Sequence, residues 1–393
     1  MVTVFDIRGQ FQGMTTPHSL TSALARHIDR TILEAGGWIG FDIFMDQALY
    51  TPGLGYYAHG STKFGTLPYT VQDGARMAGS DFVTSPEITP LFGWTLAQQV
   101  AQALQVTGTQ DVWEFGAGSG ALALQILQAL QAQGADLPRY TIVDISSSLR
   151  ARQQATLAAF AEQVRWVDSL PDDLQGVVLG NEVLDAMPVK LLARVHGVWH
   201  ERGVAEGALD ADGIPTFAWQ DRPTRLRPPL VVEGVHDYLT EIHPQGESFV
   251  RTLGQKLSRG AVFLIDYGFP EAEYYHPQRH MGTVMCHQAH QVDDDPLARV
   301  GQKDITAHVN FTGVALAGID AGLGVLGYCS QGRFLMNCGL LTQMESADLP
   351  TRVMAQKLIM EHEMGELFKV ICFYKGEPWQ ALGFETGDKT HTL

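Results

Sequence analysis

Apolar and polar positions alternate along this chain in a pattern that predicts a mixed α/β fold. Helical spacing dominates the segments between the apolar runs, for example over residues 149–161. Strands that alternate with helices are typical of a parallel sheet covered by helices on both faces. The predicted buried strands are residues 111–115, 140–144, 164–167, 176–180 and 261–266.

Three other regions have different patterns. Residues 20–49 show helical spacing broken at Gly36 and Gly37, whereas residues 191–245 combine β-like runs with turn signals. Two apolar runs near the end of the chain, residues 368–374 and 379–384, predict a terminal hairpin. We therefore predict an N-terminal helical lid region over residues 1–95, an inserted β-rich substrate subdomain over residues 191–249, and a core formed by residues 96–190 and 250–393.

Charge and composition exclude several classes of function. The formal net charge is −16 over 393 residues, which argues against nucleic acid or an anionic membrane as a partner and suits a basic one. The longest apolar-leaning stretch, residues 311–328, is interrupted by Asp320 and several glycines, so no membrane insertion is predicted. Four scattered cysteines and the lack of a secretory signal predict a cytoplasmic protein.

The most informative motif is the glycine loop that follows the first predicted core strand. Gly116, Gly118 and Gly120 occupy alternate positions directly before a helical pattern, and Glu114 precedes them. Glycines allow a tight turn and close approach of a ligand, and the start of the following helix presents unpaired N–H groups. The loop therefore predicts a site for a nucleotide-type cofactor.

Polar residues follow the other predicted strands as well. The carboxyl ends of parallel strands meet at one edge of a sheet, where ligands bind. Asp144 could accept both hydroxyls of a ribose, whereas the adenine would lie beside the residues that follow the third strand. Ser85, placed before Pro86 as a helix N-cap at the inner edge of the lid, is a further candidate cofactor residue. The candidates at the third and fourth strand ends are Asp168, Ser169, Asn181 and Glu182.

Two cofactors compete for this site. Gly116, Gly118 and Ala121 satisfy the glycine fingerprint of dinucleotide-binding proteins. The carboxylate of Glu114 would repel a pyrophosphate, but it suits the methionyl ammonium and sulfonium of S-adenosylmethionine, both of which are cations. The sequence therefore favours S-adenosylmethionine.

The segment at residues 181–188, Asn-Glu-Val-Leu-Asp-Ala-Met-Pro, resembles the Asn/His-Glu-x-x-Asp-x-x-Pro-Val signature of the MidA-like family. Further similar blocks lie at residues 55–57, 79–88, 266–268, 304–311, 334–339 and 364–368. This resemblance implies a Rossmann-like class I S-adenosylmethionine-dependent methyltransferase. It also implies methylation of a partner protein on arginine, with a respiratory-complex subunit as a candidate substrate.

Arginine is a poor nucleophile, so its guanidinium must be held and one proton accepted as the methyl group arrives. Glu182 and Asp185 suit both tasks, with Asn181 beside them, and they would share a helix face if a helix starts after the fourth strand. Their alternative interpretation is an acidic first turn of that helix. The candidate substrate-binding residues are Tyr56, Tyr57, Tyr267, His290 and His308.

A metal site is not predicted. Cys286, His287 and His290 lack a second cysteine or a tight four-ligand set, and displacement at a sulfonium needs no Lewis acid. Three other functions remain open at this stage. They are a cofactor-binding assembly factor without turnover, a methyltransferase of another nucleophile, and a nicotinamide oxidoreductase, which Glu114 disfavours.

Overall fold

The computed structural model describes residues 17–58, 71–72, 75–76, 84–144, 147–288 and 291–393. The helices are α1 (Pro17–Glu34), α2 (Phe41–Tyr50), α3 (Ser85–Ile88), α4 (Leu91–Thr107), α5 (Ala121–Ala132), α6 (Ser147–Thr156), α7 (Pro244–Lys256), α8 (Glu271–Tyr274), α9 (Phe311–Asp320), α10 (Gln331–Asn337), α11 (Leu340–Ser346) and α12 (Leu349–Lys357).

The first nine strands are β1 (Ile39–Gly40), β2 (Val71–Gln72), β3 (Ala75–Arg76), β4 (Asp111–Phe115), β5 (Arg139–Val143), β6 (Val164–Val167), β7 (Leu174–Asn181), β8 (Lys190–Val195) and β9 (Val198–Leu209). The others are β10 (Pro215–Pro223), β11 (Tyr238–Ile242), β12 (Leu257–Phe269), β13 (Met285–Gln288), β14 (Gln291–Asp293), β15 (Asp304–Thr306), β16 (Val309–Asn310), β17 (Gly324–Ser330) and β18 (Phe368–Lys375).

The central sheet has the strand order β17-β18-β12-β7-β4-β5-β6, and β16 pairs with the end of β12. β18 is antiparallel to both of its neighbours, whereas β12, β7, β4, β5 and β6 run parallel. The chain reverses its direction of strand addition between β4 and β7, and ligands bind at such a switch point in doubly wound sheets. This confirms the predicted Rossmann-like α/β fold.

Helices cover both faces of this sheet. On one face α4, α5 and the helices α10 to α12 pack over a core that includes Phe92, Ile126 and Phe334. On the other face α7 and α9 bury Val250, Leu253 and other apolar side chains against β7 and β12. Strands buried on both faces read as nearly continuous apolar runs, which is why β7 and β12 were recognisable in the sequence.

The inserted region forms an antiparallel sheet in the order β1-β9-β8-β11, with β10 on the outer side of β9. Helices α1 and α2 share a hydrophobic core with this sheet, including Ile28 and Phe44 from the helices and Leu191 and Val204 from the strands. Helices α1 and α2 are therefore packed against the inserted sheet, whereas the short helix α3 contacts α4 and α5, which cover the central sheet.

Two local predictions are wrong. Residues 379–384 form no strand, because β18 already pairs with β12 on one side and β17 on the other, which leaves it no free edge. Phe384 instead packs against the ring of Phe334, 5.3 Å away. The N-cap of α3 is Thr84, so Ser85 lies inside the helix.

Within the described residues, no helix combines the length and the apolar character that crossing a membrane requires.

Candidate functional site

The glycine loop has the backbone conformation that its sequence predicts. The φ angles of Gly116, Gly118 and Gly120 are 62°, 52° and 85°, all in the left-handed region that favours glycine. A Cβ atom on Gly116 would lie 3.0 Å from a methyl group of Val183, so the loop runs directly beside the segment that follows β7. Helix α5 begins at Ala121, immediately after the loop.

Glu114 lies inside the sheet and not on its surface. It is 2 % exposed, and its Oε2 accepts a hydrogen bond of 2.8 Å from the hydroxyl of Tyr140 on the neighbouring strand. Burial raises the pKa of Glu114 to about 8, against the hydrogen bond from Tyr140, which lowers it. A cationic group near this carboxyl would therefore favour its ionised form.

Asp144 at the end of β5 is held by a residue that the sequence did not reveal as functional. The Nε2 of Gln153 donates to Asp144 Oδ2 at 2.8 Å and to the carbonyl oxygen of Gly118 at 3.1 Å. Its Oε1 accepts a hydrogen bond from Trp166. Gln153 is fully buried, so one side chain fixes the glycine loop, Asp144 and β6 relative to one another. A glutamine within a helix carries no sequence signal of this role.

The two candidates after β6 are placed differently from the others. The side chain of Asp168 is 74 % exposed and forms an ion pair with Arg150, which also donates to the carbonyl oxygen of Asp144. Ser169 lines a groove of about 490 Å³ together with Asp111 and Arg139, the first residues of β4 and β5. The structure therefore groups Asp168 with Asp144 but does not bring Ser169 to the glycine loop.

Helix α3 connects the glycine loop to the acidic segment after β7. Glu87 hydrogen-bonds to the hydroxyl of Ser119 inside the loop, and Gln125 donates to the carbonyl oxygen of Pro86 at 2.7 Å. The backbone N–H of Ser85 faces Oε1 of Glu182 at 3.4 Å. Ser85 is fully buried.

Glu182 and Asp185 do not lie on a helix, which corrects the predicted helical register. Residues 182–185 form a turn, and the φ angle of Glu182 is 55°, a strained value for a residue with a side chain. The backbone N–H groups of Leu184 and Asp185 both donate to Oδ2 of Asp266. The two carboxyl groups are therefore brought together by a turn fixed to β12.

Burial dominates the electrostatics of this acidic group. It raises the pKa of Glu182 to about 8, and the charge of Asp185 adds to the increase. It also raises the pKa of Asp185 to about 6 and that of Asp266 well above its usual range. Among the described residues, no lysine or arginine forms an ion pair with these three acids.

Several buried polar atoms in this region have no hydrogen-bond partner within the part of the chain that the structure describes. Buried polar groups are ordinarily paired, so such a group of atoms indicates a place where a ligand binds. The atoms are Asn181 Oδ1, Glu182 Oε2 and His308 Nδ1, whereas the hydroxyl of Tyr267 lies within hydrogen-bonding reach of Asp185 and Thr306.

The aromatic candidates surround the same acids. The hydroxyl of Tyr57 donates to Oδ1 of Asp304 at 2.8 Å, and its ring lies edge-on to Tyr56 and stacks with Tyr50. The Tyr50 hydroxyl donates to the carbonyl oxygen of Ala186, next to Asp185. Tyr50 and Asp304 were not singled out from the sequence.

Tyr267 and His308 lie on the β12 side of the acids, with ring centroids 5.1 Å apart. Burial lowers the pKa of His308 to about 4, so the ring is neutral at physiological pH. The candidate His290 lies outside the described residues. Among the residues that are described, no group of three or more His, Cys, Asp or Glu side chains is arranged to hold a metal ion.

Comparison with known proteins shows the family to which the chain is similar. Residues 95–329, more than half of the chain, match a family described as "Putative S-adenosyl-L-methionine-dependent methyltransferase". A protein from Burkholderia thailandensis, solved with bound S-adenosyl-homocysteine, is 47% identical. The two structures superimpose with a TM-score of 0.88 over 96% of this chain and 98% of that chain.

More distant relatives carry more specific names. The protein arginine methyltransferase NDUFAF7 of Danio rerio is 26% identical and covers 89% of this chain and 86% of its own length. Its homologue in Drosophila melanogaster is also 26% identical, covering 90% of this chain and 85% of its own length.

Both relatives are named as mitochondrial proteins, which corrects the prediction of a cytoplasmic location. That prediction was wrong because it depended on scattered cysteines and on the lack of a secretory signal. Unpaired cysteines indicate a reducing environment but do not distinguish one such compartment from another.

The match over more than half of the chain and the structural likeness at 47% identity together show the family. The chain belongs to the MidA-like family of S-adenosyl-L-methionine-dependent methyltransferases.

Proposed function

We propose that this methyltransferase acts on an arginine side chain of a partner protein. The observation that carries the proposal is the pair of neighbouring carboxyl groups of Glu182 and Asp185, in which the buried Oε2 of Glu182 lacks a partner among the described residues and Asp185 lies beside the hydroxyl of Tyr267. A planar guanidinium presents paired N–H donors that match two such oxygens. The names of the more distant relatives support the same substrate class.

The electrostatics of the site favour a cation as substrate. Glu182, Asp185 and Asp266 lie together in a desolvated region, and burial raises the pKa of each of them. Ionised acids in such a place repel one another and lack the hydration that stabilises them in water. A positive charge that binds between them compensates for both effects. A guanidinium would supply that charge, so its binding and the ionisation of the acids favour each other.

The two carboxyl groups have different roles in this proposal. Asp185, whose pKa is about 6, is ionised at neutral pH and anchors the guanidinium. Glu182 accepts on Oε2 the proton that the attacking nitrogen loses as its new bond to carbon forms. A pKa of about 8 makes Glu182 a suitable acceptor, because general-base catalysis works best when the pKa lies near the working pH.

The residues of the glycine loop fit the cofactor of the family. Left-handed glycines leave space for close approach of a ligand, and the buried carboxyl of Glu114 suits a cationic one. We propose that Gly116, Gly118, Gly120, Asp144 and Asp168 hold S-adenosylmethionine, with Ser85 at the inner edge. When bound, this cofactor supplies the methyl group as an electrophile on a sulfonium.

The partner in this proposal is a protein that presents an arginine, and the family resemblance makes a respiratory-complex subunit a candidate. Tyr57 and Tyr267 border the acids and would contact the aliphatic part of the arginine. The net charge of −16 would attract a basic partner surface. We further propose that the sheet formed within residues 191–249 contributes to the substrate side.

The test is methyl transfer from isotope-labelled S-adenosylmethionine to proteins of the same cell, with the modified residue located by mass spectrometry. We expect the label on arginine and its loss in Glu182→Gln. Label confined to lysine, to a carboxyl group or to a small molecule would overturn the arginine assignment. Cofactor binding with no transfer to any protein would instead favour an assembly factor without turnover.

A further inference from the structure

A third acid in this region, Asp266 on β12, has a different set of contacts from Glu182 and Asp185. It is 1 % exposed, and both of its carboxyl oxygens accept backbone hydrogen bonds. Oδ2 accepts from the N–H groups of Leu184 at 2.9 Å and Asp185 at 3.2 Å, while Oδ1 accepts from the N–H of Tyr267 at 2.9 Å. Asp266 therefore faces the backbone of the turn formed by residues 182–185.

The turn that Asp266 contacts is strained. Glu182 has a φ angle of 55°, and a residue with a side chain keeps such a conformation only where its surroundings impose it. Three contacts impose it here. The N–H of Glu182 donates to the carbonyl oxygen of Ile265 at 2.8 Å, Ala307 donates to the carbonyl oxygen of Asp185, and Asp266 receives the two N–H groups in between.

Asp266 is the part of this arrangement that depends on side-chain chemistry. The other two contacts join backbone groups, which any sequence can supply, whereas Oδ2 of Asp266 collects two neighbouring N–H groups with one acceptor atom. An asparagine would offer one acceptor oxygen and one donor NH₂ group, so it cannot satisfy both sides of this contact. The position therefore selects a carboxyl group, because both of its oxygen atoms can accept hydrogen bonds.

We propose that Asp266 is a positioning residue for methyl transfer, which fixes the turn of residues 182–185 so that the carboxyl groups of Glu182 and Asp185 face the substrate. This inference rests on the proposed function only in assigning the two acids to the reaction. Asp266 itself does not touch the substrate. It acts through the backbone N–H groups of Leu184 and Asp185.

A double-mutant cycle tests this role. We expect Asp266→Asn to lower kcat by about tenfold or more, with the Kd for S-adenosylhomocysteine changed by less than about threefold. In a background that carries both Glu182→Gln and Asp185→Asn, adding Asp266→Asn should cause little further loss, because both groups that it positions are already impaired. Losses that multiply fully would overturn the proposal and make Asp266 an independent substrate ligand.

The matched control is Asp111→Asn. Asp111 is also an acid buried in the central sheet, but it lies at the amino end of β4 and pairs with Arg139. We expect this variant to lose stability while keeping kcat and KM. If Asp111→Asn lowers kcat as much as Asp266→Asn does, the effect is a general loss of packing and the positioning role is wrong.

A second readout needs no substrate, so it separates this proposal from the arginine assignment. Hydrogen exchange of the peptide that contains residues 182–186 should be slow in the wild-type protein and much faster in Asp266→Asn, with the glycine loop unchanged. Asp266→Glu, which keeps the charge on a longer side chain, should restore part of the protection if Asp266→Asn folds poorly. Equal protection in all three proteins would overturn the inference even if arginine is the substrate.

Discussion

The hydroxyl of Tyr140 donates a hydrogen bond of 2.8 Å to Oε2 of Glu114, and both side chains are buried between the helix layers of the central sheet. Tyr140→Phe would leave this carboxyl without its donor and raise the pKa of Glu114 further, because the hydrogen bond lowers it. Loss of a partner to a buried acid costs about 1–3 kcal/mol. We expect a lower melting temperature and weaker binding of S-adenosylhomocysteine by calorimetry. Unchanged binding would show that Glu114 has only a structural role.

Gly118→Val should abolish cofactor binding. The φ angle of Gly118 is 52°, so a branched side chain would strain the loop and fill space that a ligand needs. Gly134→Val is the control, since Gly134 has a φ angle of 69° but follows the end of α5, with open space around its Cβ position. Both variants should lose stability, and only Gly118→Val should lose binding in calorimetry. Equal loss of affinity in the two would argue against a cofactor role for the loop.

Glu182→Gln should lower turnover by about a hundredfold or more, the scale of a lost general base, with little change in cofactor affinity. Glu247→Gln serves as the control, because Glu247 pairs with Arg251 on helix α7, outside both the acidic site and the inserted sheet. Full activity in Glu182→Gln would rule out the proposed proton acceptor.

The same substitution should change how stability depends on pH. The pKa of Glu182 is raised from 4.5 to about 8 in the folded protein, so its contribution is present at low pH and is lost as the pH rises toward 8. The maximum loss is roughly 5 kcal/mol for this single group. The melting temperature of the wild type should therefore fall between pH 5 and pH 8.5 more steeply than that of Glu182→Gln. Parallel curves would contradict the raised pKa.

Activity should rise with pH. Asp185, with a pKa of about 6, must be ionised to hold the cation, and Glu182, with a pKa of about 8, must be ionised to accept a proton. Two further acids, Asp266 on β12 and Asp304 on β15, face them. We expect kcat/KM to increase from about pH 6 to pH 8 and then level off, with two apparent pKa values that belong to the pair. The upper step should disappear in Glu182→Gln. A profile that is flat over this range would count against the proposed chemistry.

Helix α3 should respond to the cofactor. Glu87 of this helix contacts Ser119 in the glycine loop, and Ser85 contacts Glu182. The helix therefore connects the predicted lid region to the glycine loop and to the acids after β7. Hydrogen exchange of residues 84–88 should slow when S-adenosylhomocysteine is added. Protection that is confined to the loop around Gly116 would contradict a lid. Helix α1, which packs on the inserted sheet, gives an internal reference that should stay unchanged.

The sequence alone predicted the five parallel strands of the central sheet, the glycine loop and the acids at the ends of these strands, but not β17 or the place of β18 beside it. These features are local, because a buried parallel strand shows as an apolar run and a turn with positive φ angles requires glycine. The order of the strands then brings Gly116 beside Val183, as the general rule for doubly wound sheets leads one to expect. The terminal hairpin failed as a prediction because an apolar run does not reveal whether its partner strand is already paired on both sides.

Only the tertiary structure decided how the acids are held. Glu182 and Asp185 share a site because a turn, and not a helix, follows β7, and that turn is fixed by Asp266 from a strand that lies about eighty residues further along the chain. Gln153 likewise connects three elements through one amide group. No spacing rule reports such contacts, since a buried polar side chain finds its partners across the fold and its hydrogen bonds exist only once the surrounding strands and helices have packed.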